Sequence, residues 1–466
     1  MPIESLIDRH DEQVKLQAAW EKAQAGSPQL VVLSGRRRVG KTFLLHHFAQ
    51  PYRRVVHTMA KDSSQAQELS RLTASVAETL GQPALASFGG MFQGWEHALG
   101  FLAQASTEDP LLVVLDELPY ALAASPELPS LIQIAWDRLV TTHRHKLMLV
   151  LTGSAVGVMN ELVGPGSPLL GRATQNLKMA PVNLRAAAEF LPTLDPISLI
   201  EAYAACGGYP LHLKHWDPTI TTDENLRQLA FSPGGLLLED APSVIAEELP
   251  STGGYRRVLN AVGMGHTRYD KIKNAADQRI EGPLRLLEST GLIERETPLG
   301  APRRSRPLYR ITDTYLRFWH AVLSPSYGLI SGGQGEAVLR RSSPAWTTHV
   351  ASVFEEECRR HAIGLVTMKV MEQDMVIGRW WSQGGQPCEV DVMGMVDSTV
   401  ALVGEAKWTK HPIGDKELSH LRAKLPLLPG KPTEPLLALW GSSGVHDSVR
   451  PQGVMSFDAG DVVTGQ

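Results

Sequence analysis

Cysteine is scarce. The chain of 466 residues has three, Cys206, Cys358 and Cys388, far apart and odd in number. No CxxC pair exists, which argues against both a disulfide framework and a thiolate zinc site. Long apolar runs are missing too. The longest, such as Leu111–Leu115, fall far short of the roughly 20 residues that span a bilayer. The first residues, MPIESLIDRHDE, are acidic and polar and lack the apolar core of a secretion signal. Nor is there an excess of basic charge. Lys and Arg number 45 against 49 Asp and Glu, a net charge of -4, which excludes a uniformly basic nucleic-acid coat but allows a local basic patch. Internal repeats and low-complexity tracts are absent. These absences predict a soluble, reduced, cytoplasmic protein without a membrane partner.

Core-forming material is plentiful. Hydrophobic residues make up 43% and charged residues 20%, which rules out a wholly disordered chain. At roughly 150 residues per domain the length suggests about three domains. Leu30–Leu33, Leu111–Leu115 and Leu147–Leu151 read as buried strands alternating with helical patterns, so the fold class is α/β with a parallel sheet. Asn183–Leu213 reads as helices broken at Pro192, Pro196 and Gly207-Gly208, a small helical lid. From Tyr255 three short helical patterns, Tyr255–Met264, Tyr269–Ala276 and Pro283–Ser289, precede two strand-like runs, Leu292–Glu296 and Leu308–Thr312. Three helices and a hairpin form a winged-helix pattern, and residues 251–320 hold 13 Lys/Arg against 7 Asp/Glu. A helix at Val350–Arg360 and alternating strands come next. The expected domains are an α/β core at 1–180, the lid at 181–250, the winged helix at 251–320 and an α/β domain with a helical lead-in at 321–466.

Gly35-Arg36-Arg37-Arg38-Val39-Gly40-Lys41-Thr42 fits GxxxxGK[ST] between a strand and a helix, the context that gives this motif its meaning. Its glycines let backbone N–H groups turn inward around phosphates, and the helix N-terminus adds positive potential. The motif makes ATP the expected ligand. Lys41 would reach the β- and γ-phosphates, and Thr42 would ligate Mg²⁺. Leu112–Leu115 leads into Asp116 and Glu117. Asp116 is a candidate for the Mg²⁺ and Glu117 for orienting and deprotonating the attacking water, which favours hydrolysis over mere binding. Ser154, after the third strand, is a γ-phosphate sensor or a turn residue. Arg172 is either a γ-phosphate contact, in cis or across a subunit interface, or a plain surface arginine. Arg36, Arg37 and Arg38 either frame the phosphates or serve partner or DNA contacts.

Glu389–Val396 and Val400–Lys407 read as two strands joined by a turn at Asp397-Ser398-Thr399. With a period of two, Glu389 and Asp391 share one face of their strand, and Glu405 and Lys407 share one face of theirs. If the strands pair, Asp391, Glu405 and Lys407 converge, and an upstream helix supplies Glu355. Two or three carboxylates and a lysine suit a metal-dependent phosphodiesterase. Asp391 and Glu405 would hold a further Mg²⁺ or Mn²⁺, which activates water, and the lysine would either position that water or steady the charge on phosphorus. The plainer alternative is a solvated face of acids and lysines.

As a set, these motifs resemble the archaeal-type P-loop ATPases, also common in bacteria, in which an AAA+/STAND-like ATPase precedes a winged helix and a domain of the PD-(D/E)xK nuclease superfamily. The resemblance covers nearly the whole chain. It includes GRRRVGKT, Leu115–Tyr120, Gly153-Ser154, Gly171-Arg172 and Gly207–Pro210. It continues through Tyr309–Asp313, Arg317–Trp319, Phe354-Glu355, Cys358-Arg359, Glu389–Asp391 and Gly404–Trp408. Ile7-Asp8-Arg9 is similar to the family's adenine-side box, which makes Arg9 a nucleotide-binding candidate. The resemblance places Glu355, Asp391, Glu405 and Lys407 on nuclease-type positions, so the last domain is expected to be restriction-endonuclease-like. Pro283 departs from the helix-forming aromatic expected in the recognition helix. DNA is the expected partner, through Arg303, Arg304 and Arg306 in the wing and Lys271, Lys273 and Arg279 near the helices. A winged helix used only for protein packing is the alternative. A second copy of the chain or another protein is a further partner candidate.

Overall fold

The computed structural model describes residues 6–82, 92–142, 144–249, 254–301, 305–384, 386–429 and 434–466. The chain divides into two compact units, Met1–Pro181 and Val182–Gln466.

In the first unit, β1 (Gln29–Ser34), β2 (Val55–Met59), β3 (Leu111–Asp116), β4 (Leu147–Gly153) and β5 (Gln175–Lys178) form a sheet in the order β2-β3-β4-β1-β5. Every pairing in it is parallel. Strands buried on both faces carry unbroken apolar runs, and β1, β3 and β4 are buried at every position. One face, with Leu30, Val32, Val113, Leu115, Leu149 and Leu151, packs under Leu72, Trp95, Leu99, Ile132 and Trp136. The helix His10–Gln24 packs against β1, β4 and β5. The three strands expected from the sequence are the central ones. The edge strands β2 and β5 escape such a reading. They are short, and β5 buries only Leu177.

The second unit begins with helices Leu184–Phe190, Pro196–Cys206 and Pro210–His215, with breaks at the prolines and glycines. Buried polar pairs fasten this segment to later parts of the unit. Tyr209 donates to Asp313, His212 Nε2 lies 2.7 Å from Asp240, and Tyr315 donates to the Leu237 carbonyl at 2.9 Å. Helices Tyr255–Gly263, Tyr269–Ala276 and Glu281–Ser289 precede an antiparallel hairpin of β6 (Ile293–Glu296) and β7 (Leu308–Ile311). Pro283 is the third residue of its helix, within the first turn, where its missing N–H breaks no intrahelical bond.

A 33-residue helix, Gly335–Thr367, then runs across a sheet of β8 (Val376–Trp381), β9 (Glu389–Val396), β10 (Thr399–Lys407), β11 (Leu436–Gly441) and β12 (Val454–Phe457). The order is β12-β11-β10-β9-β8. The β8-β9-β10 half is antiparallel and the β10-β11-β12 half parallel. The helix starts fifteen residues before its expected beginning at Val350 and carries Pro344 in its interior. Phe318 and Trp319 are buried, as core residues would be.

The β6–β7 hairpin is docked on the edge of this sheet. Leu299 N donates to the Arg379 carbonyl at 2.9 Å, and Arg306 exchanges two 3.1 Å hydrogen bonds with Gln383. Arg303 and Arg304 lie outside the described residues.

Candidate functional site

Ser34 ends β1, and the chain turns through the glycine loop into the helix Lys41–Ala49. A side chain at Gly35 would place its Cβ 2.5 Å from the Met179 carbonyl oxygen, so only glycine fits. Gly40 has φ 97°, which glycine adopts at no steric cost. The buried Lys41 ammonium bridges the loop, donating to the carbonyls of Gly35 at 2.7 Å and Arg36 at 3.2 Å. Arg9 clamps the loop from the preceding segment. Its guanidinium donates to Val39 O at 3.1 Å and Ala180 O at 2.9 Å. Arg37 is exposed, and Arg38 adopts a left-handed backbone with φ 68°.

Asp116 is 1% exposed at the tip of β3, the strand next to β4 in the sheet. Thr42 Oγ1 donates to its Oδ2 at 2.9 Å, and the Glu117 amide donates to its Oδ1 at 2.9 Å. Burial opposes ionisation of this carboxyl. The His57 imidazole, Thr42 and the Glu117 amide outweigh burial and hold it below the ordinary range. His57 was invisible to motif reading because it lies on the edge strand β2. Its Nε2 stands 3.5 Å from Asp116 Oδ2, and its ring lies 4.8 Å from that of His46.

Glu117 takes a left-handed backbone, φ 52°, at the start of the helix Leu118–Ala124. Such a conformation costs a non-glycine residue roughly 1–2 kcal/mol. The turn aims its carboxylate at β4, where Oε2 accepts Ser154 N at 3.1 Å and Ser154 Oγ at 2.8 Å. The candidate base and the candidate sensor are therefore in direct contact. Arg172 instead makes a bidentate pair with Asp137, at 2.8 and 2.9 Å.

These residues suit a magnesium–nucleotide. Thr42 and Asp116 already converge on one point, and Lys41 stands inside the loop that would receive the phosphates.

Residues 6–215 match the family of ATPase domains found predominantly in Archaea. Residues 319–420 match a second family, described as archaeal and bacterial proteins of unknown function. An uncharacterized protein of Methanocaldococcus jannaschii is 26% identical over 416 residues, 86% of this chain and 87% of that protein. A Walker-type ATPase of Pyrococcus abyssi is similar in structure, with TM-score 0.53 and 20% identity over 68% of this chain and 96% of that one. The ORC2 protein of Aeropyrum pernix scores 0.42 at 13% identity, over 73% and 96%. The chain thus carries an ATPase domain, and its P-loop sheet has the fold of a Walker-type ATPase.

The C-terminal carboxylates form a second constellation. The β9–β10 register pairs Val392 with Gly404, which brings Asp391 and Glu405 to adjacent cross-strand positions. Lys407 Nζ lies 2.6 Å from Glu405 Oε1 and 3.6 Å from Asp391 Oδ2. The Ala406 amide donates to Asp391 Oδ2 at 3.1 Å. Glu355 is pushed up to about 7 by burial and by the neighbouring Asp391 charge. Burial and Glu405 likewise push Asp391 up, whereas Lys407 and Lys424 draw Glu405 down despite its burial. Glu389 points elsewhere, to Arg379.

Lys424 had no place in the motif, because only the folded helix Asp415–Lys424 brings it to Glu405 Oε2. Among the described residues, no group of three or more His, Cys, Asp or Glu side chains is arranged to hold a metal. Two carboxylates do converge on one ammonium, Lys407, and that point suits a cation. No helix among the described residues is long and apolar enough to cross a membrane.

Proposed function

We propose that the protein is an ATP-hydrolysing switch whose second unit acts on DNA as a metal-dependent nuclease. One observation carries the reading: a single chain holds both the Lys41–Thr42–Asp116–Glu117–Ser154 constellation and the convergent Asp391–Glu405–Lys407 set. In the first, loop amides and Lys41 bind the triphosphate, Thr42 and Asp116 hold Mg²⁺, and Glu117 orients the attacking water and takes its proton. Bound Mg²⁺ supplies charge neutralisation on the phosphates. Ser154 holds Glu117 through two hydrogen bonds, so release of that contact is the step that frees the base.

In the second unit, Asp391 and Glu405 would hold Mg²⁺ or Mn²⁺, which supplies an activated water when bound. Lys407 positions the phosphodiester, and Glu355 completes the acidic set. The three helices and hairpin act as a winged helix that brings DNA phosphates to Lys271, Lys273 and Arg279. Docking of the hairpin on β8 supports a packing role for the wing alongside this one. A homo-oligomer or a protein partner supplies the trigger, and the site of action is the cytoplasm.

The test is twofold. ATP turnover should fall by at least about a hundredfold in Lys41→Ala and Glu117→Gln. Single-stranded, duplex and branched DNA are then incubated with Mg²⁺ or Mn²⁺, with and without ATP. Cleavage lost in Lys407→Ala and altered in Lys41→Ala is the expected result. Unchanged ATP turnover in both Lys41→Ala and Glu117→Gln refutes the hydrolytic part. A second reading, a silent nuclease-like domain serving an ATP-gated binding or signalling protein, is favoured by the engagement of both Glu405 oxygens by lysines. It predicts salt-sensitive DNA binding without cleavage.

A further inference from the structure

The second unit's carboxylate cluster holds one more cation than the phosphodiesterase pattern requires. Glu405 Oε1 is engaged by Lys407, from its own strand, and Oε2 by Lys424, from the end of the helix Asp415–Lys424. That helix sits over the same face of the sheet as Glu405. Its Leu418 and Leu421 share a core cluster with Val403, two residues before Glu405 on β10. The position of Lys424 is therefore set by packing and not by a loose surface approach. Its side chain is 22% exposed and that of Glu405 9%, so the contact is largely shielded from water and salt.

Around Glu405, two carboxylates, Asp391 and Glu405, face two ammonium groups, Lys407 and Lys424, with Glu355, Arg359 and Arg379 close by. A divalent cation added with both lysines in place would bring two further positive charges into a partly buried site that already holds two ammonium groups. That arrangement is costly unless a lysine leaves or an anion arrives. Lys407 also spans to Asp391, whereas Lys424 is committed to Glu405.

We propose that Lys424 is a built-in counter-ion that occupies the second oxygen of Glu405 and makes divalent-cation binding depend on a bound polyanion. A nucleic-acid phosphate would offset the added charge and give the displaced ammonium a new partner. Cation and nucleic acid then bind cooperatively, and the site stays closed to metal without its substrate. The inference rests on the metal-dependent reading above.

The experiment uses the nucleotide-free full chain as wild type, Lys424→Gln, Lys424→Arg and Glu405→Gln. Mn²⁺ is titrated by electron paramagnetic resonance of the free ion, with and without a cleavage-resistant phosphorothioate duplex. Binding that survives in Glu405→Gln is subtracted as belonging elsewhere. Lys424→Gln should bind Mn²⁺ at least about tenfold more tightly than wild type without DNA, a difference equivalent to about 1.4 kcal/mol. The duplex should tighten wild type and Lys424→Arg by a similar factor and leave Lys424→Gln nearly unchanged. If Lys424→Gln is no tighter than wild type while wild type shows Glu405-dependent binding, the counter-ion role is overturned and the metal site stands. If neither protein shows Glu405-dependent binding, with or without DNA, both the counter-ion role and the metal-dependent reading fail.

Discussion

Glu356 joins three pieces of the second unit. Its carboxylate takes Arg317 at 2.7 Å, Arg360 at 2.6 Å and Arg310 of the hairpin at 3.6 Å. Burial opposes its ionisation, but Arg317, Arg310 and Arg360 hold the carboxyl at about 2 against an ordinary 4.5. At 1.36 kcal/mol per pKa unit that difference is worth about 3 kcal/mol at neutral pH. Glu356→Gln removes this charge and leaves Arg317 and Arg310 partly buried without it, a change that typically costs about 3–5 kcal/mol. The variant should therefore lose about 3 kcal/mol, or roughly 6–12 °C in Tm at about 2–4 °C per kcal/mol. Seven of the ten tryptophans lie in the second unit, so tryptophan fluorescence during heating tracks mainly that unit. Glu389→Gln is the comparison. Glu389 is also ion-paired, to Arg379, but it is half exposed and should cost no more than about 1 kcal/mol. The sign is fixed as well. A depressed carboxyl stabilises above its unfolded value, so the Glu356 contribution is full above about 4.5 and fades as pH falls toward about 2. Equal melting of Glu356→Gln and Glu389→Gln at pH 7 would mean that the arginine cluster on Glu356 adds no more stability than an exposed ion pair.

The neighbouring Glu357 predicts the opposite slope. Burial raises its carboxyl to about 7, so the folded state keeps a proton that the unfolded chain releases above about 4.5. The second unit should lose stability as pH rises from about 4.5 to about 7, and Glu357→Gln should flatten that decline in urea titrations. Gly35→Ala should abolish binding of a fluorescent ATP analogue, because its Cβ meets the Met179 carbonyl at 2.5 Å, whereas Ser27→Ala should not. His57→Ala should raise the Mg²⁺ concentration needed for half-maximal ATP turnover several-fold, by removing the imidazole beside Asp116. An unchanged Mg²⁺ dependence would detach His57 from the site. Ser154→Ala removes one of the two hydrogen bonds that hold Glu117, and ATP turnover should change while nucleotide affinity stays the same.

Local patterns in the chain specified what depends on near neighbours. The phosphate loop needs glycines, a lysine and a hydroxyl at set spacing, and a strand before it and a helix after it. All of that lies within a short stretch of chain, so the loop, β1 and its helix were legible. The same holds for β3 with Asp116-Glu117, for the three helices before the hairpin, and for β9 and β10, whose short turn implies the antiparallel pairing that aligns Asp391 with Glu405. Contacts across long stretches of chain were decided only by folding. Ser154 meets Glu117 because β3 and β4 are neighbours in the sheet, and His57 approaches Asp116 because edge strand β2 lies beside β3. Arg172 turns to Asp137, 35 residues away, and Lys424 reaches Glu405 because the helix after β10 packs back over the sheet. A side chain's partner is set by the register and packing of elements distant in sequence. No periodicity of two or 3.6 encodes that register, so the sequence could name the acids and Lys407, but neither Lys424 nor which cation would neutralise which acid.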